Sequence, residues 1–144
     1  MVADFYVSYN LAEALKKIKF TWPCDRFYTR EDTPDGEPWV TPTANTPHDY
    51  NSPRNGEPKF LKPLCSAPTI YKVHRWLREV MGVAINITAH DGGFYTWDVV
   101  YLSNYQDNGD NYIKIDLKSY RNYETALTFA IIKTIKFLNK NILD

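Results

Sequence analysis

The chain has 144 residues, enough to bury a sizeable core, and its 17 basic and 17 acidic side chains cancel to a formal net charge of zero. That balance lacks the positive excess that supplies most non-specific affinity for a phosphate backbone, so composition alone gives nucleic-acid binding no support. No run approaches the roughly 18 apolar residues of a membrane-spanning helix, and the N-terminus lacks the basic-then-apolar order of a secretory leader, which together predict a soluble cytoplasmic protein.

Residues 8 to 20 predict a short amphipathic helix, with Leu11, Ala14, Leu15 and Ile18 on one face and Lys16 and Lys17 on the other. Ser8 or Asn10 can cap it, and Asn10 with Glu13 resembles a capping box. Pro23 stops the helix pattern, and Asp25 to Thr29, centred on Phe27 and Tyr28, reads as a short strand.

Eight of the nine prolines fall between residues 31 and 68. Proline fixes φ and removes a backbone donor, so this stretch cannot build a ladder of its own. Residues 31 to 66 therefore predict a proline-rich insert with turns at Asp35-Gly36 and Asn55-Gly56. Trp39, Tyr50 and Phe60 are costly to leave in water, which predicts that the insert lies against the protein body or a partner. A packed surface loop with no binding duty is the plainer alternative.

After Pro68 the pattern becomes regular. Pro68 suits the first turn of a helix over 69 to 81, whose apolar residues are Ile70, Val73, Leu77, Val80 and Met81, with Trp76 beside them and Gly82 ending it. Residues 83 to 90 alternate, with Val83, Ile85, Ile87 and Ala89 on one side. Asp91-Gly92-Gly93 is a turn into the strand 94 to 102, which places Tyr95, Trp97, Val99 and Tyr101 together, so the pair is a hairpin. A third strand is predicted near 111 to 117, and a final helix over 123 to 141 after Asn122 as its cap. Its inward stripe is Leu127, Ala130, Ile131, Thr134, Ile135 and Leu138, while Phe129, Ile132 and Phe137 fall outside it and ask for a second surface to pack against.

The expected architecture is a single α+β domain in the order α-β-α-β-β-β-α. An antiparallel sheet of three or four strands carries the last two helices on its apolar face. Cys24 and Cys65 are in no C-x-x-C pair and read as buried reduced thiols, although a disulfide across the insert is conceivable.

No catalytic signature, metal-ligand spacing or phosphate loop is present, so no catalytic residue, metal or cofactor is expected. Asn86, His90, Asp98, Lys114 and Asp116 would share the mixed face of the sheet, where a solvated surface competes with a general acid-base cluster. His48 lies in the insert, and His74 is expected on the outer side of its helix. The leading expectation is a non-enzymatic protein that binds another protein or itself, through Trp39, Tyr50 and Phe60 with Phe129 and Phe137 of the last helix. The alternative is a nucleic-acid binder using Arg75, Arg78, Lys114, Lys118 and Arg121. The order helix, three strands, helix is shared by double-stranded RNA-binding domains, but their basic cluster at the start of the final helix is replaced here by Tyr123-Glu124-Thr125. An enzyme ranks third.

Three segments carry a resemblance. They are Tyr6-Val7-Ser8-Tyr9 with Ala14-Leu15-Lys16, Phe20 and Pro23-Cys24; then Ala67-Pro68-Thr69 with Trp76-Leu77-Arg78-Glu79; and Tyr123-Glu124 with Ala126-Leu127 and Ala130-Ile131. Together they resemble a group of uncharacterised small proteins carried by phages and mobile elements of gut Bacteroidetes. The chain departs from that group with Thr21-Trp22 in place of an acidic pair and with a longer central insert. The resemblance implies a setting in a bacterial host cell and no activity or site residues.

Overall fold

The computed structural model describes residues 5–42, 47–52, 62–101 and 112–143, with side chains in the last range from 118 to 140. The fold is α+β, with three helices and two antiparallel three-stranded sheets among the described residues. The chain divides into two compact units, one through Thr69 and one from Ile70, close to where the prolines end.

In the first unit, α1 (Tyr9–Lys17) is capped by Ser8, whose hydroxyl accepts from Leu11 N at 3.3 Å. Asn10 and Glu13 make no capping box, because Ser8 is the cap and Asn10 lies inside the helix; the Glu13 carboxylate accepts the Tyr9 hydroxyl. Lys19 turns left-handed at φ 70°, and Phe20 N then reaches back to Leu15 O at 3.1 Å, which seats the Phe20 ring in the core. The helix buries Leu11, Ala12 and Leu15.

The predicted strand forms as β1 (Arg26–Thr29), and the proline-rich insert supplies two partners for it: β2 (Trp39–Pro42) and β3 (Cys65–Ser66). They lie on opposite sides of β1 and do not pair with each other, so the insert borrows a ladder instead of building one. Pro42 ends an edge strand, a place where its missing N–H is tolerated. Elsewhere in its described residues the insert is held by a backbone bridge between Cys24 and His48, at 2.7 and 3.0 Å, and by side chains. Asn51 donates from Nδ2 to Phe20 O at 2.7 Å and accepts at Oδ1 from Ser66 N at 2.9 Å, while Ser66 Oγ accepts from Tyr50 N at 2.9 Å.

The second unit carries α2 (Ile70–Glu79), β4 (Val83–His90), β5 (Phe94–Tyr101), β6 (Tyr112–Tyr120) and α3 (Tyr123–Leu143), with the strands in the order β4-β5-β6. β4 and β5 pair along their whole length, from Val83 opposite Tyr101 to His90 opposite Phe94. Trp97, Val99 and Tyr101 are buried on one face with Val83 and Ile85, under Ile70, Val73, Trp76 and Leu77 of α2 and the full predicted stripe of α3. Val80 departs from its predicted place: α2 ends at Glu79 and leaves Val80 54% exposed.

Two further departures bear on the surface. β6 continues three residues past the predicted end, through an irregularity in which Tyr95 pairs with Tyr120 although Trp97 pairs with Asp116. His74 is half-buried and not on the outer side of α2. Its Nε2–H donates to the Ile85 carbonyl of β4 at 3.0 Å, an acceptor on a strand with one neighbour among the described residues. Both cysteines are free buried thiols, and burial pushes the Cys65 thiol up to about 12, with the Glu13 carboxylate adding to the effect.

Asn51→Ala strands two backbone groups and should cost about 2 kcal/mol of unfolding free energy, read by urea denaturation. Cys65 keeps its proton far above the 9.0 of an ordinary thiol, so its contribution to stability is complete below pH 9 and is lost as pH rises toward 12. Stability measured from pH 8 to 11 should fall more steeply in the native chain than in Cys65→Ala.

Candidate functional site

The neutral charge of the chain is sorted within the second unit. α2 and α3 carry six basic side chains, Lys72, Arg75, Arg78, Lys133, Lys136 and Lys140, against Glu79 and Glu124; residues 80 to 122 carry three basic side chains against five aspartates. Because the inner faces of both helices are apolar, these cations occupy the outer faces. Phe129, Lys133, Lys136 and Lys140 follow one another at steps of four, three and four, which lines them along one side of α3. All four are exposed, and no acidic residue interrupts them. The row spans about 16 Å at 1.5 Å per residue.

On α2, Tyr71, Arg75 and Arg78 repeat the same steps on the exposed side. Arg75 Nε meets Glu79 Oε1 at 3.1 Å; both side chains are well exposed, so the pair contributes little to stability. The two helices start side by side: the Tyr71 hydroxyl donates to Glu124 Oε2 at 3.1 Å, and desolvation together with that carboxylate raises the phenol above its usual range.

The row on α3 begins beside a depression of about 210 Å³ lined by Gly92, Phe94, Ser119, Tyr120 and Arg121. One wall is the β4-β5 turn, where Gly92 and Gly93 at φ 94° and 79° adopt a conformation that side-chain-bearing residues avoid. There Phe94 stacks on His90 with centroids 4.9 Å apart and planes 8° apart, and His90 Nε2 is 2.7 Å from Thr96 Oγ1. The other wall comes from the β6 irregularity, which delivers Ser119, Tyr120 and Arg121. Tyr120 stacks on Phe129 at 5.2 Å and 23°. The depression is therefore bracketed by two aromatic pairs, with a guanidinium and a hydroxyl as its polar lining.

The sequence-predicted residues fall in different places. Trp39 is 38% exposed on the outer strand of its sheet, its Nε1–H donating to Glu31 O at 2.9 Å. Tyr50 is 5% exposed and packs on Phe27 at 4.5 Å. Phe60 lies outside the described residues. Phe137 is half-buried against Tyr101 at 4.5 Å, so part of the surplus apolar surface of α3 is taken up by the sheet itself. Arg75, Arg78, Lys118 and Arg121 are all exposed, and the side chain of Lys114 lies outside the described residues.

The expected shared face of Asn86, His90, Asp98, Lys114 and Asp116 does not form, because the register pairs Lys114 with Val99 and Asp116 with Trp97, while Asp98 pairs with Ile115 and Asn86. Asn86 Nδ2 donates to Asp98 at 3.2 Å, whereas His90 sits four residues farther along β4, about 13 Å at 3.3 Å per residue. Among the described residues, no three of His, Cys, Asp and Glu come together as a metal site would require. No described helix is long and apolar enough to cross a membrane.

Lys133, Lys136 and Lys140 do not stand out in the sequence. Their signal is present in the spacing, but the apolar residues interleaved with them dominate the same segment. The start of α3 is set by Asn122, whose Oδ1 accepts from Thr125 N at 2.7 Å. Asn122→Ala should cost about 1 kcal/mol in urea denaturation, the usual loss of such a cap. Compared with protein-family models, with curated proteins and with solved structures, the chain matches none.

Proposed function

We propose that the second unit binds nucleic acid through the outer faces of α3 and α2. The observation that carries this reading is the exposed, acid-free row Phe129, Lys133, Lys136 and Lys140, with Arg75 and Arg78 on the neighbouring helix. A row of cations attracts a polyanion through its local field, which zero net charge does not cancel. The residues expected to anchor a protein partner support that alternative less: Tyr50 and Phe137 are engaged in packing within their own units. Trp39 on its outer strand remains in its favour.

The test is salt-dependent binding of a fluorescent 20-nucleotide strand to the full chain, compared with the charge-reversed Lys133→Glu/Lys136→Glu/Lys140→Glu variant. The native chain should lose affinity linearly in log–log salt plots. The variant should bind at least tenfold more weakly, with a slope shallower by about 2, at roughly 0.7 per phosphate contact. An unchanged slope and affinity would sink the proposal. Equal retention on poly-glutamate would redirect it toward an acidic protein surface.

A further inference from the structure

Resting on the nucleic-acid reading, we infer that the depression between the β4-β5 turn and the end of β6 is a slot for one unstacked nucleobase, which makes the ligand single-stranded and not a duplex. The depression of about 210 Å³ is smaller than the roughly 300 Å³ at which pockets for drug-sized ligands begin, and it suits a single ring system. Its lining includes two aromatic residues, Phe94 and Tyr120. They are stacked on His90 and Phe129, so the aromatic pairs that flank the depression are ordered before binding. At Gly92 a Cβ would come within 3.8 Å of the Phe94 ring, so a larger side chain at that turn would project beside the stacking surface.

The polar lining selects for chemistry. Ser119 offers a hydroxyl to the edge of a base, and Arg121 offers a guanidinium to the phosphate joined to it, while Phe129 connects the slot to Lys133, Lys136 and Lys140. A base held in the slot thus lets its strand continue along the row of lysines. Base-paired nucleotides are already stacked on their neighbours and cannot enter without being pulled out of the duplex, at an energetic cost. The first turn of α3 agrees with this choice. Domains of the same element order that bind duplex RNA carry cations there, and this chain carries Glu124, engaged by Tyr71.

The probes are fluorescein-labelled 12-nucleotide oligo(dT) and oligo(U) and a blunt duplex of equal length, each titrated against the full chain by fluorescence anisotropy. Phe94→Leu keeps apolar volume and removes the π-face; Arg121→Gln removes the charge on an exposed position where folding is not at risk. Single strands should bind more tightly than the duplex, Phe94→Leu should weaken single-strand binding fivefold or more, and Arg121→Gln should weaken it by a similar factor, both sparing the duplex. Duplex binding as tight as single-strand binding, with neither variant altering it, would overturn the slot while leaving the nucleic-acid reading intact. Loss of all binding in the triple lysine variant, without loss in the slot variants, would overturn the slot in the same way. No binding of any probe by the native chain would remove both.

Discussion

The second unit is organised by the single apolar face of β5. Trp97, Val99 and Tyr101 alternate with polar or half-buried neighbours, so only one side of the sheet can be covered, and α2 and α3 must share that side. The face is worth the imperfections it carries. Trp97 Nε1–H is buried with no acceptor among the described residues, a loss of about 1–3 kcal/mol. Burying the indole returns about 4–6 kcal/mol at 25 cal/mol per Å² over 150–250 Å², so the ring stays inside. Once both helices are committed inward, their charged residues have only the outer faces to occupy. The row of lysines on α3 is thus a consequence of the same alternation that builds the core.

The first unit solves a different problem. Its proline-rich segment offers few donors and no regular ladder, yet its buried backbone groups still need partners. Side chains share that duty with the pairings to β1 and the Cys24–His48 backbone bridge. Asn51 joins the segments at Phe20 and Ser66, Lys16 Nζ donates to Leu64 O at 2.7 Å, and Arg30 Nε donates to Gly36 O at 3.1 Å. Thr33 and Trp39 close the turn after β1 through the carbonyls of Arg30 and Glu31. Such bonds depend on single side chains and lack the redundancy of a ladder, so this unit is the more sensitive to substitution at polar positions.

How much is legible in the sequence follows from how locally each feature is determined. The β4-β5 hairpin and the inward stripe of α3 are readable because alternation and helical spacing report burial residue by residue. β2 and β3 are not, since Trp39–Pro42 and Cys65–Ser66 become strands only by pairing with β1, a partner distant in sequence. His74 reads as outward because it falls between the apolar stripe and Arg78; the Ile85 carbonyl that draws it inward belongs to another element. The slot is hidden for a related reason. Lys118-Ser119-Tyr120-Arg121 shows no alternation, and only the irregular pairing with β5 brings Tyr120 and Arg121 opposite the glycine turn.

Net charge misleads for a physical reason. A balanced chain argues against binding a polyanion only if the charges act from one place, and screening makes that assumption fail. At physiological salt, exposed charges lose most of their influence beyond about 8 Å. The exposed row on α3 is separated from the opposite face of the sheet, where Asp98 pairs with Asn86, by at least the thickness of a helix, about 10 Å. Asp98 therefore does little to neutralise the lysines of the helix. Local sign, not the sum over the chain, decides what a face attracts.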